Sequence, residues 1–84
     1  MNKFPQILVN VKVKERMPFE SNSRISKAIS HSNKRLKGSG RILVRYSGTE
    51  PLARVMVEGR EEEMIKEIAD FVASAIRVNF GAEE

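Results

Sequence analysis

The sequence contains no cysteine and no tryptophan, and it has one tyrosine and one histidine. Without cysteine there is no disulfide framework and no thiolate metal site. The lone His31 has no neighbouring set of metal-binding residues and reads as a surface side chain. No apolar run approaches the ~20 residues needed to span a bilayer, and the amino-terminal MNKFPQ lacks the apolar stretch of a signal peptide. These absences set the expectation of a cytoplasmic protein with no membrane partner. Internal repeats and low-complexity tracts are missing as well. What remains is an ordinary folding composition, 40% hydrophobic and 31% charged. A chain of 84 residues can build one core but not two, so residues 1–84 read as a single domain. The formal charge of +4, from 15 basic and 11 acidic side chains, can draw in phosphate-bearing partners, though by itself it reads more readily as a mixed solvated surface.

Five elements follow from the hydrophobic periods. Residues 6–14 (QILVNVKVK) alternate, with Ile7, Val9, Val11 and Val13 on one side, as in a half-buried strand. Pro18 and the polar run 20–23 break that pattern, and Ser23 is placed to cap a helix. Ile25, Ala28, Ile29, Ser32 and Leu36 recur at helical spacing, which predicts a helix over 24–36, ended by Gly38. Lys34, Arg35 and Lys37 complement the helix dipole at its end and read as a solvated patch. Residues 41–46 (RILVRY) and 53–58 (ARVMVE) predict two strands joined by SGTEPL, a longer hairpin loop than the tight two-residue kind. Glu61, Glu62 and Glu63 suit a first helical turn. Ile65, Ile68, Val72, Ala75, Ile76 and Phe80 then form an apolar stripe to about Asn79, with Gly81 as the stop. Met56 and Met64 read as core, or as core facing a neighbouring domain. The order β-α-β-β-α predicts an α+β two-layer sandwich: an antiparallel-leaning sheet of three or more strands, with both helices on one face. Val9, Val11, Ile42, Val44, Val55 and Val57 are expected to face the helices. Strand order does not follow from the pattern.

The chemistry lies in residues 45–54, Arg-Tyr-Ser-Gly-Thr-Glu-Pro-Leu-Ala-Arg. Ser47 and Thr49 offer hydroxyls, and the backbone of Ser47, Gly48 and Thr49 offers amides. Gly48 permits a positive φ, which lets successive N–H groups converge on an anion. Pro51 stiffens the loop exit. Strand parity puts Arg45 and Arg54 on the face away from the helices, where their planar forks could meet one phosphate from both sides. The residues alone leave two readings open: an anion cradle, or a polar turn whose arginines cover sheet surface.

The run GRILVRYSGTEPLARVMVEG resembles the C-terminal phosphate-binding loop of the α-D-phosphohexomutases, and the pattern R-x-S-G-T-E-P-x-x-R is specific. The resemblance reaches from FPQILVNVKVKE onward and is less diagnostic over 21–37. It covers only the last of the family's four domains. The tyrosine after the first arginine and the RVMVEG ending are most similar to the amino-sugar branch, which interconverts glucosamine 6-phosphate and glucosamine 1-phosphate through a bisphosphorylated sugar. The resemblance implies a fragment that is inactive alone and binds the phosphate not undergoing transfer, through Arg45, Ser47, Gly48, Thr49 and Arg54. Glu50 matches the motif, either to orient an arginine or to touch sugar. The implied partners are a phosphosugar substrate and the other domains of the parent enzyme. The catalytic phosphoserine and the Mg2+ loop would lie on those other domains, leaving no catalytic or metal-ligating residue here. Alternatives are the same domain from a phosphomannomutase or phosphoglucomutase, or a small basic nucleic-acid-binding module. The last lacks interleaved aromatics, since Tyr46 is the one aromatic in the hairpin.

Overall fold

The computed structural model describes residues 4–81. Its elements are β1 (Gln6–Lys12), a short 3-10 turn (Phe19–Ser21), α1 (Ser23–Leu36), β2 (Gly40–Tyr46), β3 (Leu52–Gly59) and α2 (Glu62–Phe80). The three strands form one antiparallel sheet in the order β1-β3-β2. Both helices lie on one face of it, so the expected α+β sandwich and its β-α-β-β-α order hold.

The period-two pattern decides which face is covered. Ala53, Val55 and Val57 of the central strand are fully buried beneath the helices, and Val11 and Val13 nearly so. Ile7, Val9, Ile42 and Val44 are half-buried on the edge strands and pack against that core. The helices supply the other layer at i, i+3, i+4 spacing: Ile25, Ala28, Ser32 and Leu36 from α1, and Ile65, Ile68, Val72 and Ile76 from α2. Each fully buried aliphatic side chain contributes about 1.5–3 kcal/mol. Ser32, the one buried polar residue among those described, donates its hydroxyl to the Ala28 carbonyl at 2.7 Å.

Several boundaries differ from expectation, three of them with a clear physical reason. The α1 cap is Asn22 rather than Ser23. Asn22 sits in extended backbone, and its Oδ1 accepts from the amides of Arg24 and Ile25 at 3.0 and 3.1 Å. β1 stops at Lys12 rather than Lys14, because its partner β3 begins at Leu52 and offers no further ladder. Val13 N–H turns instead to the Pro51 carbonyl, and Lys14 N–H to that of Phe80. Finally, β2 and β3 each run further than expected, which leaves a hairpin loop of residues 47–51. At the base of that hairpin a Cβ on Gly40 would run into the Glu58 carbonyl, so only glycine admits the strand pair there.

The topology positions the loop. With β3 central, β1 and β2 are both antiparallel to it. Lys12, the last residue of β1, pairs with Leu52, the first residue of β3. The connection from β1 to α1 therefore leaves the sheet beside the loop between β2 and β3.

Candidate anion site

Arg45 and Arg54 are direct cross-strand partners in the β2–β3 ladder. Both are exposed, on the sheet face opposite the helices. Like charges facing each other across a strand pair destabilise a sheet. This sheet uses the complementary arrangement elsewhere: in the same ladder Arg41 pairs with Glu58, Nε to Oε1, at 3.0 Å. Arg35 likewise finds Glu67 at 3.0 Å. Neither Arg45 nor Arg54 forms an ion pair among the described residues. Both line one shallow depression with Leu8, Leu43 and Met56, which occupy the adjacent row of the open face. Met56 is thus not helix-facing core, whereas Met64 packs against it.

The loop is organised around Ser47. Its N–H donates to the Leu52 carbonyl at 2.9 Å and closes the hairpin, so the Ser47 amide is not free for an anion, contrary to the expected amide set. Its Oγ accepts from the amides of Thr49 and Glu50, both at 3.3 Å. Those distances lie beyond the usual ~2.7–3.2 Å for N–H···O, so a charged oxygen could displace both bonds. The amides at the tip are accordingly those of Gly48, Thr49 and Glu50, shifted one residue along from expectation. Gly48 lies outside the positive-φ region, which among the described glycines holds Gly38 alone, and a Cβ added to it would meet nothing within 4 Å. Neither backbone conformation nor internal crowding requires glycine there. Unobstructed approach of a ligand to the tip is the remaining advantage of a missing side chain. The Glu50 carbonyl accepts from Leu52 N–H at 2.7 Å and from Arg16 Nη2 at 3.0 Å.

Tyr46 sits at the loop's root on the helix side. Its ring stacks on Phe19 with centroids 4.4 Å apart, and its hydroxyl donates to the Met17 carbonyl. Burial, and next the nearby Glu20 carboxylate, raise the Tyr46 pKa above its ordinary value. The contacts of Tyr46 and Arg16 were not anticipated. Both depend on β1 lying beside β3, a long-range pairing that no local period reveals.

The remaining candidates are peripheral. His31 is exposed and meets the edge of Phe71. Glu62 and Glu63 lie in the first turn of α2, next to Glu61 at its cap position. Among the described residues no group of three or more His, Cys, Asp or Glu is arranged to hold a metal ion. No described helix is long and apolar enough to cross a membrane.

The chain belongs to the family of phosphoglucomutase/phosphomannomutase C-terminal domains, whose model matches residues 8–75. Among its relatives are phosphoglucosamine mutases. That of Bacillus velezensis is 48% identical over 83 residues, covering 99% of this chain and 18% of the relative. That of Bacillus subtilis is 45% identical over the same length and share of each. The chain thus spans under one fifth of the length of these relatives. A solved N-acetylphosphoglucosamine mutase of Aspergillus fumigatus, in complex with glucose 1,6-bisphosphate, superposes with a TM-score of 0.79 at 31% identity, over 94% of this chain and 16% of that one. The same fungal enzyme in complex with GlcNAc-6P and magnesium gives 0.73 at 32% identity, over 87% and 16%.

Proposed function

We propose that this chain is the phosphate-holding C-terminal domain of a phosphoglucosamine mutase, and that it grips the phosphate of the sugar not undergoing transfer. The observation that carries the proposal is the Arg45–Arg54 couple, in register across β2 and β3 and without an ion pair among the described residues. A dianion between two guanidinium groups turns a repulsive pair into an attractive triad. Arg45 and Arg54 would supply forked donors, the Ser47 and Thr49 hydroxyls would add two more, and the tip amides at Gly48 and Thr49 would complete the cradle. Each charge-assisted bond contributes about 1.5–3 kcal/mol before desolvation is subtracted. Glu50 would act through its backbone, which already takes part in the loop's hydrogen bonds at both its N–H and its carbonyl.

Such a grip fits an enzyme whose bisphosphorylated intermediate must turn over in the site. A contact that recognises phosphate rather than a sugar face accepts either orientation. Binding a remote, non-reacting group also helps position the reacting one. The glucosamine assignment rests on the bacterial relatives, and the parent enzyme would be cytoplasmic. The family's Mg2+ finds no matching ligand cluster among the described residues, so no step through the ion is assigned to this chain. The phosphate reading is favoured over a nucleic-acid one by the placement of Tyr46, whose ring is turned to the helix side against Phe19 rather than onto the open face.

Titration of the chain with glucosamine 6-phosphate tests the proposal. Arg45→Lys keeps the charge and loses the fork, so its affinity should fall about tenfold, the equivalent of one good hydrogen bond. Unchanged affinity in Arg45→Lys would contradict a forked contact.

A further inference from the structure

Four contacts tie the connection between β1 and α1 to the hairpin loop. Val13 N–H donates to the Pro51 carbonyl at 2.9 Å. The Tyr46 hydroxyl donates to the Met17 carbonyl, and the Tyr46 ring stacks on Phe19. Arg16 Nη2 donates to the Glu50 carbonyl at 3.0 Å. The first three are the neutral backbone and ring contacts expected where a chain crosses a loop root. The fourth is different in kind.

Arg16 directs a charged donor at a neutral acceptor, the Glu50 carbonyl, which takes the Leu52 N–H at 2.7 Å on its other lone pair. Glu15, Glu20 and Glu50 all lie on the two segments that meet here, yet Arg16 pairs with none of them in the described structure. The bond uses one of five guanidinium N–H donors, and no described carboxylate pairs with the charge. Its consequence is positional. The neighbouring contacts of Tyr46 bring the connection in from the helix side, whereas Arg45 and Arg54 stand on the open side. Arg45 and Arg54 thus belong to the strands on either side of the loop, and Arg16 is anchored at its exit.

We propose that Arg16 is a further positioning residue of the anion site: pinned to the Glu50 carbonyl, it holds the loop exit in place and adds a third positive charge behind the amides of Thr49 and Glu50. The proposal rests on the phosphate-holding role of the loop. A fixed cation at this location strengthens the field that a phosphate meets, and a pinned loop exit limits the reorganisation that binding requires to the exchange of the Ser47 Oγ bonds.

The test is a titration of the chain with inorganic phosphate, followed through the Gly48, Thr49 and Glu50 amide resonances in Arg16→Ala, Arg16→Gln and Arg16→Lys. Arg16→Ala should weaken binding about three- to tenfold, an effect appropriate to one partly screened charge near the site. Arg16→Lys should stay nearer to wild type than Arg16→Gln, which keeps a donor for the Glu50 carbonyl but no charge. Because Arg16 is exposed, the melting temperature should barely change, which separates this role from a merely structural one. Wild-type affinity in Arg16→Ala, or equal losses in Gln and Lys, overturns the proposal. If Arg45→Ala loses phosphate while Arg16→Ala does not, the loop remains a phosphate site and only the role of Arg16 falls. If the wild-type loop amides do not respond to phosphate at all, both fall together.

Discussion

An arginine in register opposite another arginine is not an arrangement a sheet adopts for its own stability. At Arg41–Glu58 the same ladder places opposite charges together, and at Arg45–Arg54 it does not. The contrast supports reading the second pair as strain kept for a ligand. Arg45→Glu should then act in two directions at once. It makes the pair complementary and should raise unfolding stability by a few tenths to about 1 kcal/mol. It should also abolish phosphate binding by placing a carboxylate where the anion sits. Denaturant unfolding, measured beside a phosphate titration, checks both. A variant that loses stability would show that the two arginines do not repel in the wild type. The facing of these arginines was legible in the sequence, because strand parity is local. The use of the Ser47 amide was not, since it depends on where the hairpin closes: β3 begins at Leu52, so the loop is one residue shorter and Ser47 N–H bonds back across it.

At the scale of elements, both α-helices and all three strands were readable from periodicity, because the buried stripes of α1 and α2 and the alternation of β1 and β3 are strong, whereas the 3-10 turn at Phe19–Ser21 was not. The ends were less readable. Asn22 and Ser23 are both good capping residues side by side, and only backbone geometry selects Asn22, whose side chain reaches two amides. Asn22→Ala should cost about 1 kcal/mol of stability, whereas Ser23→Ala, inside the first turn, should cost much less. Thermal or denaturant unfolding of the two variants distinguishes them, and equal losses would return the cap to Ser23. Strand order was beyond reach of local pattern altogether. The insertion of β3 between β1 and β2 brings the Val13–Phe19 segment against the hairpin loop. That segment carries Val13, Arg16, Met17 and Phe19, which reach the loop region from outside the motif.

For the whole molecule, the chain covers 18% of the length of its Bacillus relatives. Contacts to the sugar ring and the transfer chemistry would belong to the rest of such an enzyme, so the domain by itself should bind phosphate weakly and turn nothing over. Within it, the division of labour is spatial: one sheet face builds the core with both helices, and the other carries the paired arginines. The decisive measurement follows the Nε–Hε resonances of Arg45 and Arg54 together with the Gly48 and Thr49 amides while inorganic phosphate is added. One anion held in common requires all four to move along a single binding curve, ahead of Arg35 and Arg41, which are already paired to carboxylates. Movement of only one of the two arginines, separate curves for the two, or shifts confined to α1 would contradict it.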